Sequence, residues 1–514
     1  MDLFGLASTP SSTLTDGTLT CAYAELGSIF EALHAYLTQQ GVRRQDPIIV
    51  ECDNSVASAV VILGLLHHGY SFLPMPQGQR AGLENAVDLQ TLLPGFCPYL
   101  LVPDRSQVVA SADLVRVDRY VNLQANPVAQ AGLDLGDRAD RKLYLRTSGS
   151  TGTPKVVMHS QARLAANVQA CVDRLQLTAA DRIALPVPLF HMYGLGAGFL
   201  PGIRAGASID LQQGANLLRY LQREQKFNPN VAFLTPIFCE TLLKGRRSDR
   251  PYRITVAAGD RVREDTFTPY EARFGCLIKL YGSTEMGALS ASSPAEPPET
   301  RSQTVGQPMP DVTFCLKETE TLTAEDRAKG LGELWCRREA GFEGYLDWQG
   351  QPLDLGQWDA AGWFRTKDLG RLWPDGGVEV LGRCDHSVNR DGLLVFFADV
   401  ERVLESLVGV EAAVVVSKGE SQRGKNLTAY CVVSAGYGGT AIDLRQQCFD
   451  RLPNRAVPDR VLLVKALPLL ANGKIDRQAL VRRVDAPDVP QAGSSRQSGA
   501  SVQRGGERSD SPSP

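Results

Sequence analysis

The sequence predicts an α/β protein of at least two domains, and three observations carry that expectation. Short β-like apolar runs alternate with helical stretches through most of the chain, the rhythm of layered, largely parallel sheets. After Arg383 the texture changes to short strands separated by two helices, as in a smaller α+β module. The length of 514 residues also exceeds what a single hydrophobic core ordinarily supports.

Taken in order, Pro47-Ile-Ile-Val50 reads as a buried strand, 55–67 as a helix, and Tyr70-Ser-Phe-Leu73 as the next strand, stopped by Pro74. Arg182-Ile-Ala-Leu185, Val231-Ala-Phe-Leu234, Arg253-Ile-Thr-Val256 and Leu277-Ile-Lys-Leu280 repeat the pattern, with helical segments between several of them. Beyond Arg383, strands are expected at 393–397, 412–416 and 427–433, with helices at about 398–407 and 443–452. From about 486 the chain is Gln, Gly, Ser, Arg and Pro with almost no large apolar side chain, a composition that cannot bury a core. The expected organisation is therefore a large domain over 1–382, a small one over 383–485 and a disordered tail over 486–514.

A formal net charge of −3 argues against nucleic-acid or anionic-membrane partners. The longest apolar stretch near the start, 59–66, is too short to cross a bilayer, and Met1-Asp2-Leu3-Phe4 lacks a basic signal region. Eleven scattered cysteines, with no Cys-x-x-Cys and no His pair at ligand spacing, suggest reduced buried thiols in the cytoplasm, not disulfides or zinc.

The densest chemistry lies at 144–155, Tyr144-Leu-Arg-Thr-Ser-Gly-Ser-Thr-Gly-Thr-Pro-Lys155. Thr147, Ser148, Ser150, Thr151 and Thr153 offer hydroxyls, Gly149 and Gly152 admit close backbone approach, and Lys155 adds a mobile cation. Such a loop suits a polyphosphate, although composition alone leaves a flexible surface turn open. A Walker-type loop is excluded, because Pro154 stands where its second glycine belongs and Val156 follows Lys155. The segment resembles the phosphate-binding loop of the AMP-forming, adenylate-forming ligase superfamily, which comprises acyl- and aryl-CoA synthetases, peptide-synthetase adenylation domains and luciferases.

Further motifs extend that resemblance over about 25–482 in the expected order. Leu280-Tyr-Gly-Ser-Thr-Glu-Met286 by itself reads as a turn with a capping acid. It is similar to the superfamily's Tyr-Gly-x-Thr-Glu segment, which implies Tyr281 against the adenine, Thr284 on the α-phosphate and Glu285 on Mg²⁺, with Gly282 and Ser283 also binding the cofactor. Gly362-Trp-Phe-Arg-Thr-Lys-Asp-Leu-Gly370 resembles Gly-Trp-x-x-Thr-Gly-Asp. There Asp368 is implied to accept both ribose hydroxyls, and Lys367 replaces the usual glycine.

Leu381-Gly-Arg-Cys-Asp385 resembles the hinge between the two domains. Arg383 is implied to touch ribose or phosphate, and Asp385 to carry the torsions that swing a mobile lid. Gly392 aligns with the glycine lining a pantetheine tunnel, while Asn389 and Leu394 depart from residues that are often basic. Leu470-Ala-Asn-Gly-Lys-Ile-Asp-Arg477 alone is a solvated turn. By resemblance it holds the lid lysine, Lys474, delivered to the carboxylate and α-phosphate.

Pro188-Leu-Phe-His-Met-Tyr-Gly194 matches the aromatic-histidine-glycine segment beside the acyl pocket. A lone histidine among apolar neighbours is otherwise a packed core residue. Amino-acid-activating relatives usually carry Phe-Asp there, the aspartate holding the α-amine, whereas this chain has Phe190-His191. The chain thus stands closer to acyl- and aryl-acid-activating members than to amino-acid-activating ones. Phe190, His191, Phe233, Thr235, Ala258 and Gly259 are the expected pocket residues, with Gly392 on the thiol side.

The resemblance implies a large N-terminal domain of mixed layered sheets with helices and a small mobile α+β lid, with the site between them. The implied reaction is ATP- and Mg²⁺-dependent conversion of a carboxylic acid to acyl-AMP with release of pyrophosphate, then transfer to the thiol of coenzyme A. The alternatives are transfer to the phosphopantetheine arm of a separate carrier protein, a degenerate nucleotide-binding non-enzyme, or an oxidative relative of luciferase type.

Overall fold

A computed structural model describes residues 11–484 apart from 81–85, 104–107, 109, 131–134, 137–139, 148–154, 320–321, 391–392, 422–423 and 469–474. The expected tail over 486–514 lies outside the described residues. Among the described residues the chain forms four sheets.

The nine-stranded sheet runs Gln307–Pro308, Gly287–Ala291, Gly275–Ser283, Tyr252–Ala257, Val231–Leu234, Arg182–Ala184, Ser208–Asp210, Thr13–Thr15 and Thr20–Ala22. Its six central strands, from Gly275–Ser283 to Thr13–Thr15, are parallel. In the eight-stranded sheet Lys142–Thr147, Phe72–Pro76, Ile48–Cys52 and Tyr99–Pro103 are parallel neighbours, with antiparallel strands at both edges. The expected largely parallel character thus holds for the interior of both sheets. It follows from continuous apolar runs: all five residues of Ile48–Cys52 and all four of Val231–Leu234 are buried.

Helix Val56–His67 has no polar face, and every residue from Val56 to Leu66 is buried, as a helix that is apolar all round must be. Ser55 caps it, accepting from the Ser58 amide across 3.2 Å. Helix Tyr23–Gln39 crosses so closely at Gly64 that a Cβ there would lie 2.8 Å from Leu33.

The third sheet, Val312–Lys317, Leu331–Arg338, Phe364–Leu372 and Val378–Arg383, is wholly antiparallel and corresponds to no strand expected from the sequence. All its strands but Leu331–Arg338 are largely part-buried, so no continuous apolar run announces them.

The last sheet joins Leu393–Phe396, Ser387–Arg390, Gly424–Val433 and Val410–Ser421, with Arg460–Val464 added parallel to Gly424–Val433. Val388, Val395, Phe397, Val400, Leu404 and Leu427 belong to a hydrophobic cluster separate from the main core. The strands at 410–421 and 424–433 run longer than expected, and the helices fall at Phe397–Glu405 and Ala441–Phe449. No helix among the described residues is long and apolar enough to cross a membrane.

Candidate active site

Strands Val231–Leu234, Tyr252–Ala257 and Gly275–Ser283 are parallel neighbours, so their carboxyl ends open on one edge, where open α/β sheets hold ligands. At the end of the third the chain reverses into Gly287–Ala291, with a bulge between Tyr281 and Gly282. Gly282 permits the reversal, since a Cβ there would sit 2.2 Å from the Gly287 carbonyl oxygen. Ser283 closes the turn by accepting from the Met286 amide across 3.0 Å. Thr284 and Glu285 therefore form the tip of the hairpin.

Two strangers to the hairpin fix that tip. His159 Nε2 donates to the Thr284 carbonyl oxygen at 2.7 Å, and the Phe342 amide donates to the Glu285 carbonyl at 2.9 Å. His159 is 2% exposed, and burial pulls its pKa down to about 4, so the neutral ring donates. Beneath it, the buried Arg338 donates to the carbonyls of Met286 and Ala288 and to Asn167 Oδ1.

His159 also belongs to strand Lys155–Ser160, which leaves the hydroxyl-rich loop, and Thr147 faces Lys155 across that strand pair. Ser148, Gly149, Ser150, Thr151, Gly152 and Thr153 lie outside the described residues. The half-buried Lys155 ammonium stands 4.6 Å from the centroid of the Tyr345 ring. The Tyr345 hydroxyl lies 2.9 Å from Glu285 Oε1 and 2.5 Å from Gln357 Oε1. The loop's cation and the hairpin's carboxylate thus share one tyrosine. Burial lowers the proton affinity of Lys155; Glu285 opposes this, and the nearby cations Lys367 and Arg383 add to it.

Across the hairpin, Tyr281 donates its hydroxyl to Asp368 Oδ2 at 2.5 Å, and its ring lies against Phe314 with centroids 6.2 Å apart. Arg383 Nη1 is 3.6 Å from Asp368 Oδ1 and donates to the Thr366 carbonyl at 3.2 Å, while its Nε donates to Asp385 at 3.1 Å. The Asp368 carboxyl is 15% exposed. Burial pushes its pKa up to about 6 despite Arg383 and the Tyr281 hydroxyl. For Asp385 burial also opposes ionisation, but the Arg383 hydrogen bond and charge outweigh it and hold the pKa down.

On the acid side, Tyr193 donates toward the carbonyls of Leu234 (2.9 Å) and Val256 (2.7 Å), pinning the Phe190–His191 segment across two strand ends. Phe190 and His191 are partly exposed, with ring centroids 4.6 Å apart. Gly259 is exposed at φ +94°, and a Cβ there would meet no atom within 4 Å. Phe233 and Ala258 are both buried in the main core, Phe233 at 0% exposure. The Thr235 hydroxyl is used as a helix cap, accepting from Phe238.

Gly392 and Lys474 lie outside the described residues. The segment carrying Lys474 is bracketed nonetheless. The Asp476 amide donates to the Pro468 carbonyl at 2.8 Å, and Arg477 pairs with Glu401 at 2.6 Å.

Neither Tyr345, His159, Gln357 nor Arg338 stands in a motif that announces it. Glu285 joins no cluster of metal-ligating side chains among the described residues. One carboxylate beside a phosphate loop nonetheless matches the donor set of a magnesium ion that takes its other ligands from phosphates and water. Away from this site, Glu31, His67 and His68 bring ligand atoms within 4.8 Å of one another.

The chain matches the family models described as AMP-binding enzyme, over residues 103–346, and AMP-binding enzyme C-terminal domain, over 399–474. It is 26% identical over 509 residues to the Anguibactin system regulator of Vibrio anguillarum, covering 92% of this chain and 46% of that protein. It is 29% identical over 481 residues to Phosphinothricin tripeptide synthetase PhsC of Streptomyces viridochromogenes, covering 89% of this chain and 42% of that protein. The chain thus spans less than half the length of these relatives. Among solved structures it superposes on ATP-bound MatB from Rhodopseudomonas palustris with a TM-score of 0.74 at 21% identity, covering 94% of this chain and 98% of the other. It also superposes on o-succinylbenzoate CoA synthetase from Bacillus subtilis in complex with OSB-AMP, with a TM-score of 0.74 at 20% identity and coverage of 93% and 97%.

Proposed function

The chain belongs to the AMP-binding enzyme family of adenylate-forming ligases, and on that premise we propose that it converts a carboxylic acid and ATP to acyl-AMP and pyrophosphate, then passes the acyl group to a thiol. The observation that carries the reading is the convergence of two constellations on one hairpin. Lys155, Tyr345 and Glu285 lie on one side, and Tyr281, Asp368 and Arg383 on the other. The first suits a polyphosphate and its cation, the second a nucleoside.

Carboxylate and triphosphate repel, so charge is the first obstacle. The loop around Thr147–Lys155 and the cations Lys155 and Arg383 would offset phosphate charge, while Asp368 accepts the ribose hydroxyls. Mg²⁺ held by Glu285 and the phosphates would neutralise charge on the leaving pyrophosphate. A carboxylate oxygen attacks the α-phosphorus, the bond to pyrophosphate breaks, and the mixed anhydride remains. Lys474 on the small domain would hold the carboxylate in line. Positioning and electrostatics suffice, so no side-chain nucleophile is required.

The acid is read as acyl or aryl, not an α-amino acid, because His191 stands where a carboxylate would have to meet the α-amine. Residues 383–385 are read as the hinge about which a small domain, over 383–485, rotates between the two half-reactions. Coenzyme A is the first acceptor reading. The similarity to a tripeptide synthetase favours the second, a phosphopantetheinyl carrier protein acting in trans. A cytoplasmic location fits either.

ATP–pyrophosphate exchange with Mg²⁺ and a panel of acids tests adenylation. Exchange with aryl or alkyl acids is expected; ATP binding without any exchange would favour a non-catalytic nucleotide binder. Comparing coenzyme A with a carrier protein as acyl acceptor separates the two acceptor readings. Lys474→Ala is expected to abolish exchange yet retain thioester formation from supplied acyl-AMP; equal loss of both would overturn the alternating-lid reading.

A further inference from the structure

Lys367 occupies a backbone conformation that few side chains tolerate. Its φ is +64°, one of five positive values among the described non-glycine residues. Gln176 and Asn228, two of the others, close helices in the usual left-handed manner. Lys367 lies instead inside strand Phe364–Leu372. A left-handed φ brings Cβ against the following carbonyl and costs free energy that glycine would not incur.

The register explains where that conformation comes from. Leu334 faces Asp368 and Trp335 faces Arg365, so Thr366 and Lys367 are extra residues in a bulge. Bulges re-aim side chains and gather beside active sites. Thr366 secures this one, donating its hydroxyl to the Leu334 carbonyl at 2.6 Å and accepting from the Asp368 amide at 3.1 Å.

The bulge puts Lys367 directly before the carboxylate bonded by Tyr281, on the large-domain side of the 383–385 segment. Its partly exposed ammonium is near enough to Lys155 to depress that residue's proton affinity, as Arg383 does. No hydrogen-bond or ion-pair partner of the Lys367 ammonium is found among the described residues. Lys155 stands against the tyrosine that bonds Glu285, Arg383 lies 3.6 Å from Asp368, and Lys367 directly precedes Asp368 in the bulge, so three cations share one neighbourhood that a phosphate would suit.

We propose that Lys367 is a phosphate-binding residue for the AMP moiety, held in place by the bulge and retained at the nucleotide whichever position the Lys474 segment takes. The inference rests on the adenylation reading above. In the thiol step the sulfur bonds the acyl carbon, the bond from that carbon to the phosphate oxygen breaks with its electron pair staying on AMP, and the thiol proton passes to water. Negative charge grows on the phosphate there, and Lys367 would offset it after Lys474 has withdrawn.

The test compares Lys367→Gly, Lys367→Ala and Lys367→Arg in the full chain. AMP and adenosine affinities, thermal midpoint and single-turnover thioester formation from supplied acyl-AMP are measured. Lys367→Gly is expected to raise the thermal midpoint while weakening AMP about tenfold or more and slowing thioester formation comparably, with adenosine affinity unchanged. Lys367→Arg should keep AMP within about threefold of wild type, since the charge remains. Unchanged AMP affinity in Lys367→Gly, with wild type still forming acyl-AMP, would overturn the inference and leave the adenylation reading intact. A wild type that forms no acyl-AMP and binds no AMP would overturn both.

Discussion

His159 and Thr284, 125 positions apart, are joined by a 2.7 Å hydrogen bond from the imidazole Nε2 to the main-chain carbonyl. The bond ties the strand leaving the hydroxyl-rich loop to the hairpin tip that presents Glu285. The strand of Lys155 and the hairpin of Glu285 are therefore positioned against each other by a residue that stands in none of the motifs.

His159→Ala is expected to destabilise the protein by about 1–3 kcal/mol, because it leaves a buried carbonyl without its donor. It should also raise the KM for ATP. The wild-type histidine carries a pH signature. Its folded pKa, about 4, lies below the unfolded value of 6.5, so stability rises with pH between them and falls as pH drops through that window. This amounts to about 3 kcal/mol in full. Urea melts of both proteins from pH 4 to 7 check it; an equally steep pH dependence in His159→Ala would refute the assignment.

Asp368 supplies a second pH dependence. With its pKa raised to about 6, it is half protonated there and loses its capacity to accept two ribose hydroxyls as pH falls further. Adenosine is uncharged over this range and isolates the effect. Its affinity should fall about tenfold per unit below pH 6 in wild type and stay weak and flat in Asp368→Asn, as calorimetry from pH 5 to 8 would reveal.

Gly282→Ala tests the hairpin directly. A Cβ would lie 2.2 Å from the Gly287 carbonyl oxygen, so the two strands must part. A loss of about 1–3 kcal/mol is expected, with ATP–pyrophosphate exchange falling more than stability does. Full exchange in a well-folded variant would mean the hairpin geometry is not needed.

Arg477 holds the segment that follows Lys474. It pairs with Glu401 and donates to the Val415 carbonyl at 2.7 Å. Removing it leaves Glu401, 12% exposed, with the Val415 amide as its remaining donor, so Arg477→Ala should lower stability by about 1–3 kcal/mol. If the segment serves adenylation alone, exchange should drop while thioester formation from supplied acyl-AMP is largely spared. Stopped-flow measurement of both half-reactions distinguishes this from a general loss.

Contiguous features are legible in the sequence. The strands at 231–234 and 252–257 announce themselves as apolar runs, the helix at 56–67 as an unbroken apolar segment, and the motif around Tyr281 as a strand followed by small and acidic residues. The antiparallel sheet over 312–383 did not, because part-buried edge pairs carry a weak alternation that many non-strand segments share. Phe233 was expected among the pocket residues; it is fully buried, with its ring 6.3 Å from that of Tyr193. Identity alone does not reveal which side of a buried strand a ring takes.

The sequence by itself determined the family, the layered α/β character and the order of the chemistry-bearing segments, since each rests on residues adjacent in the chain. Tertiary structure decided which distant residues serve them. Tyr345 reaches Glu285 across 60 positions, Arg338 reaches Asn167 across 171, and Tyr281 reaches Asp368 across 87. Hydrogen bonds act over about 3 Å, so such partners are set by how the sheets pack and by where a bulge shifts the register around Lys367. Neither is written in any local run of residues.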